Sequence, residues 1–344
     1  MNPPARLSTL DALRGIAALS VCWFHFTQGI PGFLPDGLLQ SSGTYGWLGV
    51  EVFFVISGFI IPYALLRGGY RLANFGTFIL KRVLRLDPPY LAAILLVIAL
   101  GYASSATPGF QGPPFHCSWV QVLLHLGYLN VFFGYPWLNP VFWTLAIELQ
   151  YYLLVGLLFP LIAHRAVSIR AGTFLFLAAL ALLVPAEQFL FHWLFLFMLG
   201  MVAFQFQAGL LARGPFLAGI ALLGVGAWYV SDSLVALTGI GTALLIALFH
   251  SAPRQPLVFL GQISYSLYLL HVPIGGRVVN LSLRWVHTLP GKVGVLALAL
   301  AASIVAAWVL YRCVEHPAQQ WASHIRFRKK EIAAPAPAEE AAAS

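Results

Sequence analysis

An arginine and a histidine interrupt the apolar run LDALRGIAALSVCWFHF, which covers residues 10–26. Arg14 and His25 are eleven residues apart, and eleven residues make three helical turns of about 3.67 residues each. In a helix, the two side chains therefore project from nearly one face, about 16 Å apart along the axis. That face carries a cation near one end and a titratable base near the other. The alternative is an arginine that snorkels to the membrane surface and a core histidine bonded to a backbone carbonyl.

Two glutamates lie in other apolar runs at a similar predicted depth. Glu51 follows the start of GWLGVEVFFVISGFII, and in NPVFWTLAIELQYYLL the residues Thr144, Glu148 and Tyr152 share one helix face at four-residue spacing. A carboxylate beside a histidine orients the ring and stabilises its protonated form, which suits a general base. We therefore predict that Glu148 and Glu51 act with His25 as catalytic residues. The alternative for each carboxylate is a structural hydrogen bond to a neighbouring helix.

A third apolar run adds a tyrosine and a second histidine to this layer. The segment GQISYSLYLLH places Ser264, Tyr268 and His271 on one helix face. Ionisable groups at membrane depth are costly, and such a group is by default a candidate for function. We predict that Tyr268 and His271 position a substrate or stabilise an oxyanion.

Two arginines precede another apolar run in NFGTFILKRVLRLDPPYL. Arg82 and Arg85 are three residues apart, so in a helix they point the same way. Guanidinium groups on one face can bind phosphates bidentately, and we predict that Arg14, Arg82 and Arg85 hold a phosphorylated donor. The alternative is the ordinary excess of basic residues in cytoplasmic loops.

The composition identifies the elements that must position these groups. The chain has 344 residues, of which 60% are hydrophobic and only 9% charged, whereas a soluble domain has about 25% charged residues. We therefore predict an all-α, polytopic membrane protein. Ten runs are long enough to span a bilayer as helices. They are residues 8–29, 46–66, 88–104, 141–163, 171–186, 189–207, 215–230, 234–250, 257–281 and 293–313.

The basic residues predict the orientation of these ten spans. With both termini in the cytoplasm, the outer side holds only Arg277, Arg284 and Lys292, while the other sixteen of the nineteen basic residues face inward. Treating the short apolar segment 121–133 as a span would destroy this asymmetry, so we expect an interfacial or re-entrant helix on the outer side. Residues 1–317 then form one transmembrane domain, and residues 318–344 a largely disordered cytoplasmic tail.

Taken together, the predicted groups favour acyl transfer. Coenzyme A thioesters have a polyanionic nucleotide end and a long, thin arm that carries the acyl group at its tip. Arginines at an inner mouth and an acid–base layer near the outer face fit such a donor. No GxSxG or HExxH motif is present, and Cys22, Cys117 and Cys313 are far apart without CxxC spacing, so no metal site is predicted.

The same segments carry a resemblance to a known family. LDALRGIAALSVCWFHF, GVEVFFVISGFII, KRVLRLDPPY, FWTLAIELQYY and SYSLYLLH resemble motifs of the acyltransferase-3 family of integral membrane acyltransferases, over roughly residues 7–317 and in the family's order. The family's Arg-x10-His motif falls on Arg14 and His25, its Arg-x-x-Arg motif on Arg82 and Arg85, and its fourth-span carboxylate on Glu148. The terminal EHP, residues 315–317, is also similar.

The resemblance implies transfer of an acyl group, commonly acetyl, from acyl-CoA to a hydroxyl. Acceptors in the family are usually sugars of lipopolysaccharide, exopolysaccharide, peptidoglycan or lipid-linked precursors, although antibiotics and lipids occur. It also implies the inner membrane of a bacterium. Some members carry an added SGNH-hydrolase-like domain, and this chain is expected to be of the kind without one.

Three alternatives remain open at this point. The arginines and the His/Glu layer also suit a transporter of a polyanionic or acylated metabolite. An acyltransferase acting on a small molecule or antibiotic would use the same groups. A non-enzymatic partner of a polysaccharide assembly complex would tolerate loss of His25. Trp119, Tyr135 and Trp137 in the predicted outer loops could stack on sugar rings, but they also fit an interfacial aromatic belt.

Overall fold

The protein is mainly helical in the part that the structure describes. The computed structural model describes residues 5–107, 113–249 and 255–327, and no strand occurs within these ranges. The α-helices of these ranges are α1 (Ala5–Gln28), α2 (Leu38–Ser41), α3 (Gly49–Arg67), α4 (Phe75–Ser105), α5 (Trp119–Leu126), α6 (Trp143–Ile162), α7 (Val167–Leu183), α8 (Leu190–Gln207), α9 (Arg213–Val230), α10 (Ser233–Leu248), α11 (Gln255–Gln262), α12 (Ser264–Leu270), α13 (Arg277–Ser282), α14 (Leu289–Leu310) and α15 (His316–His324). Two π-helical turns, His271–Gly276 and Tyr311–Glu315, continue α12 and α14. The predicted all-α fold is confirmed.

Each predicted span coincides with a helix or a series of helices, but their number as membrane spans stays a prediction. By length and composition, six helical stretches of the described chain can cross a membrane, and a bent one makes seven. Helices α7 and α10 are apolar but shorter. Residues 318–324 of the predicted tail lie in α15, and residues 328–344 lie outside the described residues, as does Arg254 of the predicted inner set.

Helix α4 begins earlier than the predicted start of its span at residue 88. It runs from Phe75 to Ser105 and continues through Pro88 and Pro89. These prolines lack the N–H groups that would bond to carbonyls four residues earlier. The carbonyls that lose these donors are those of Leu84 and Arg85. The neighbouring carbonyl of Leu86 accepts from the hydroxyl of Tyr265, at 2.9 Å. Arg82 and Arg85 therefore lie inside a helix and not in a loop before it.

The predicted span 257–281 is a bent element and not one straight helix. Helix α11 meets the following helical segment at an angle of 58°. A Cβ atom at Gly261 would clash with the backbone of Asp11, and one at Gly15 would lie 2.9 Å from the carbonyl of Leu257. These glycines let the backbones of α1 and α11 touch, as small residues do at membrane helix crossings. This contact holds Asp11 and Arg14 beside the bend.

A second glycine crossing joins α3 to α8. A Cβ at Gly58 would clash with the carbonyl of Phe197, and one at Gly200 with the carbonyl of Val55. The first turn of α3 also lies against α1, because a Cβ at Gly49 would clash with the carbonyl of Ala17. Helices α1, α3, α4, α6 and α12 together line the space that holds five of the predicted functional residues.

The segment between α4 and α6 is held by a buried histidine. His125 accepts a hydrogen bond at Nε2 from the backbone N–H of Leu138, at 3.1 Å, so its Nδ1 carries the proton that it donates to the carbonyl of Gln121, at 2.7 Å. The predicted interfacial or re-entrant segment 121–133 contains only the short α5 and a 3₁₀ turn at Val131–Phe133. Neither is long enough to span a bilayer.

Candidate active site

One cavity brings five of the predicted site residues together. It has a volume of about 380 Å³, and its lining includes Arg14, Arg82, Arg85, Glu148 and Tyr268. Side chains of α3, among them Ile56, Ile60 and Ile61, form an apolar wall. Basic groups from α1 and α4 thus share a space with a carboxylate from α6, which the sequence had grouped with His25. Their chemical roles stay predictions.

The arginines enter the cavity from α1 and α4. The guanidinium of Arg82 lies 5.4 Å from the ring centroid of Phe78 and 5.5 Å from that of Tyr152. These aromatic faces hold the cation by cation–π attraction. Its buried Nε has no hydrogen-bond partner within the described chain. Arg85 lies one turn further along α4 and lines the same cavity, so both guanidinium groups face one space.

Glu148 is fixed by two hydroxyl groups. Ser57 of α3 donates to Oε1 of Glu148 at 3.2 Å, and the Tyr152 hydroxyl donates to the same oxygen. Because Ser57 comes from α3, this carboxylate also ties α3 to α6. The charge of Glu148 lies close enough to Arg82 for an electrostatic interaction. The carboxylate therefore has a defined orientation before any ligand binds.

A pair of histidines packs beside Tyr268, which lines the cavity. Thr144 donates to the hydroxyl oxygen of Tyr268 at 2.9 Å. The ring centroid of His271 is 5.8 Å from that of Tyr268 and 5.1 Å from that of His25. His271 is fully buried. Its Nδ1 pairs with the carbonyl of Leu267 at 3.1 Å, while its Nε2 has no partner among the described residues.

Three predicted residues do not line the cavity. His25 is half-buried and lies beyond Tyr268, in contact with His271. Glu51 is buried, and its Oε2 has no hydrogen-bond partner in the described ranges. Among the described residues, neither Glu51 nor Glu148 is hydrogen-bonded to His25. The structure thus places the histidine pair beside Tyr268 of the cavity lining.

Sequence reasoning did not select two acidic residues that line the cavity. Asp11 and Glu315 lie in it with Arg14 and Arg85, and both carboxylates interact electrostatically with these arginines. Glu315 also accepts hydrogen bonds from the backbone N–H of Ser266 at 3.2 Å and from its hydroxyl at 2.6 Å, which anchors α12. The available signal was an acidic residue inside an apolar run.

Comparison with known proteins identifies the family of the chain. The family model for an acyltransferase domain matches residues 7–312. The chain is 28% identical to the putative membrane-bound transacylase BcsY of Komagataeibacter xylinus, over 88% of this chain and 81% of that protein. It is 24% identical to nodulation protein 10 of Rhizobium leguminosarum bv. viciae, over 95% of this chain and 97% of that protein.

A more distant match covers about half of the chain. O-acetyltransferase OatA of Staphylococcus aureus is 30% identical over 48% of this chain and 26% of its own length. No solved structure gives a significant match. The match of the family model over nearly the whole chain shows that this protein is a membrane acyltransferase and belongs to the acyltransferase-3 family.

Proposed function

We propose that the protein transfers an acyl group, most simply acetyl, from cytosolic acyl-CoA to a hydroxyl of a surface or lipid-linked glycan at the outer side of a bacterial inner membrane. The observation that carries this proposal is the single cavity that joins three arginines to Glu148 and Tyr268. The match to the acyltransferase family supports transfer of an acyl group, and a relative named O-acetyltransferase supports acetyl as that group.

The arginines fit the nucleotide end of the donor. Arg14, Arg82 and Arg85 supply planar, permanently charged groups that bind phosphate bidentately. The apolar wall of α3 fits the pantetheine arm, which is uncharged and contains several methylene groups. Asp11 and Glu315 interact electrostatically with Arg14 and Arg85 and help to orient them. With the positive-inside orientation, the arginines face the cytoplasm, where acyl-CoA is made.

The histidines fit the acceptor end. In the proposed step, His25 takes the proton of the acceptor hydroxyl as its oxygen bonds to the thioester carbonyl carbon. The carbon–sulfur bond then breaks, and the proton passes to the departing CoA sulfur, so the products are an ester and free CoA thiol. His25 is only partly buried, whereas His271 is fully buried, so His25 is the member of the pair assigned to the acceptor. His271 packs on its ring and fixes its orientation.

The remaining predicted residues have supporting roles in this proposal. Tyr268, which lines the cavity, stabilises the oxyanion that forms on the carbonyl oxygen. Glu148 balances the charge of Arg82 and adds a polar group to the cavity lining. Glu51 is assigned to orienting or charging His25, and its buried Oε2 has no hydrogen-bond partner among the described residues. No metal is required by any of these steps.

Release of free CoA thiol by the purified protein tests this function. In detergent no compartments exist, so a transporter has no gradient to dissipate and leaves acetyl-CoA intact, whereas an acyltransferase releases thiol in step with acceptor acylation. We expect thiol release that requires a hydroxyl acceptor and saturates with acetyl-CoA.

Two controls separate the competing functions in the same assay. Membrane glycan extract and a panel of small hydroxyl-bearing molecules are supplied as separate acceptors, and stimulation by the small molecules alone would move the acceptor class away from glycans. Absence of thiol release with every acceptor, from protein that still binds acetyl-CoA, would favour a transporter or a non-enzymatic partner.

A further inference from the structure

A second cavity lies on the other side of α6 and is lined by tryptophans. It has a volume of about 420 Å³, and Trp137, Trp143 and Trp193 line it together with Phe132, Glu187 and Gln188. These residues come from the loop before α6, the first turn of α6, and the α7–α8 connection with the start of α8. Chain segments that are far apart in sequence thus meet at the loop end of the bundle.

The indole rings of this cavity are held in place before any ligand binds. Trp143 and Trp193 pack with ring centroids 5.2 Å apart, and Nε1 of Trp193 donates to the carbonyl of Glu187 at 3.0 Å. Trp137 packs edge-on against the buried His125 at 5.4 Å, and its own Nε1 has no partner within the described residues. Preorganised rings lose little conformational entropy when a ligand binds.

The lining has a chemistry that suits a sugar ring. A pyranose with equatorial hydroxyls has two flat C–H faces, which pack on indole rings, and a polar edge, which needs donors and acceptors. The indoles provide the flat apolar surface, and the exposed side chains of Glu187 and Gln188 provide polar groups at the rim. The cavity holds no basic side chain in its lining, which sets it apart from the arginine-lined cavity.

The position of this cavity relates it to the site already described. Trp143 lies on it, while Thr144 and Glu148 of the same helix line the arginine-bearing cavity. Phe54 lines the arginine-bearing cavity and packs on both Trp143, at 6.4 Å, and Trp193, at 5.5 Å. One helix and one aromatic contact therefore separate the two spaces.

We propose that the tryptophan cavity binds one equatorially substituted pyranose ring of the glycan acceptor, beside the ring that is acylated. This assignment rests on the proposed acyltransferase function. It explains why three indoles gather at one point, whereas an interfacial belt would spread them around the bundle. It also gives the protein a way to select a polymer over a free monosaccharide.

Binding of defined oligosaccharides tests the assignment without any catalytic readout. Purified full-length protein is titrated with chitotetraose and with cellotetraose, and intrinsic tryptophan fluorescence is recorded. We expect a saturable change with at least one of them, and we expect Trp137→Ala to raise the apparent Kd about tenfold because one stacking surface is lost. Trp137→Phe should keep most of the affinity.

A matched control and a donor-side assay make the outcomes distinct. Trp119 is 74% exposed and does not line the cavity, so Trp119→Ala should bind the sugars like the wild type. Binding of acetyl-CoA should be unchanged in Trp137→Ala, because Trp137 does not line the arginine-bearing cavity. If the wild type releases thiol but binds neither sugar, the sugar site alone is refuted. The same holds if Trp119→Ala weakens sugar binding as much as Trp137→Ala does. Sugar binding without thiol release would leave the sugar site and refute the acyltransferase function.

Discussion

Replacing His25 with alanine is expected to lower kcat for acyl transfer by about 10²- to 10⁴-fold, the usual contribution of a positioned general base. His25 is the half-exposed member of a histidine pair whose other ring, His271, is fully buried. The variant still binds acyl-CoA in this account, because the arginines are untouched. The measurement is thiol release at saturating acetyl-CoA and acceptor.

Two comparisons distinguish a base from a structural residue at this position. His116 is exposed and away from the cavity, so His116→Ala should keep full activity. Added imidazole should partly restore the His25→Ala variant, since it can accept a proton in the space that the side chain leaves. Wild-type kcat in His25→Ala, at equal protein abundance, would remove the base assignment.

Replacing Arg82 and Arg85 together with alanine is expected to raise the KM for acyl-CoA by about 100-fold or more. A hydrogen bond to a charged group contributes about 1.5–3 kcal/mol, and each 1.4 kcal/mol is about a factor of ten in affinity. Both guanidinium groups face the cavity, so two such interactions are lost. The effect should fall mainly on KM for the donor and leave KM for the acceptor unchanged.

The controls for this pair address charge and folding. Arg82 packs on Phe78 and Tyr152, so its loss also removes a packing contact. The pair Arg82→Lys with Arg85→Lys keeps the charge but not the planar fork, and an intermediate KM is expected. Arg71 is exposed and does not line the cavity, so Arg71→Ala should behave like the wild type. If the KM for acyl-CoA were equal in all these variants, the two arginines would not bind the donor and would be explained by the excess of basic residues on the cytoplasmic side.

The helices were predictable because membrane-spanning runs are local in sequence. An apolar stretch of about 20 residues forms its hydrogen bonds internally and needs no information from distant segments. Two details were not local. Helix α4 begins well before Pro88 and Pro89 because it continues through both prolines, and the backbone of α1 touches Gly261 beside the bend after α11.

The candidate site was predictable in its membership but not in its arrangement. Helical spacing placed Arg82 with Arg85 and Thr144 with Tyr152, and these pairs do share the cavity. The same reasoning grouped Arg14 with His25, yet only Arg14 lines the cavity, because α1 has different neighbours along its length. Which faces meet is decided by glycine crossings that no spacing rule reveals.

The tryptophan cavity illustrates the same limit. Trp137, Trp143 and Trp193 are separated by up to 56 positions (193 − 137), and each one alone fits an interfacial belt. The hydrogen bonds of His125 fold the loop before α6 back so that Trp137 reaches the start of α6. Convergence of this kind can be read only from the folded chain.

The central claim is that acyl-CoA occupies the cavity between the arginines and Tyr268. Ile60 lines its apolar wall, and Cys117 and Cys313 are the accessible cysteines of the described chain, whereas Cys22 is buried. In a Cys117→Ser, Cys313→Ser background, Ile60→Cys is labelled with a maleimide in the presence and absence of acetyl-CoA. Donor at ten times its Kd should slow labelling about tenfold, and the Arg82→Ala, Arg85→Ala pair should lose this protection. An unchanged labelling rate at saturating acetyl-CoA would contradict the account.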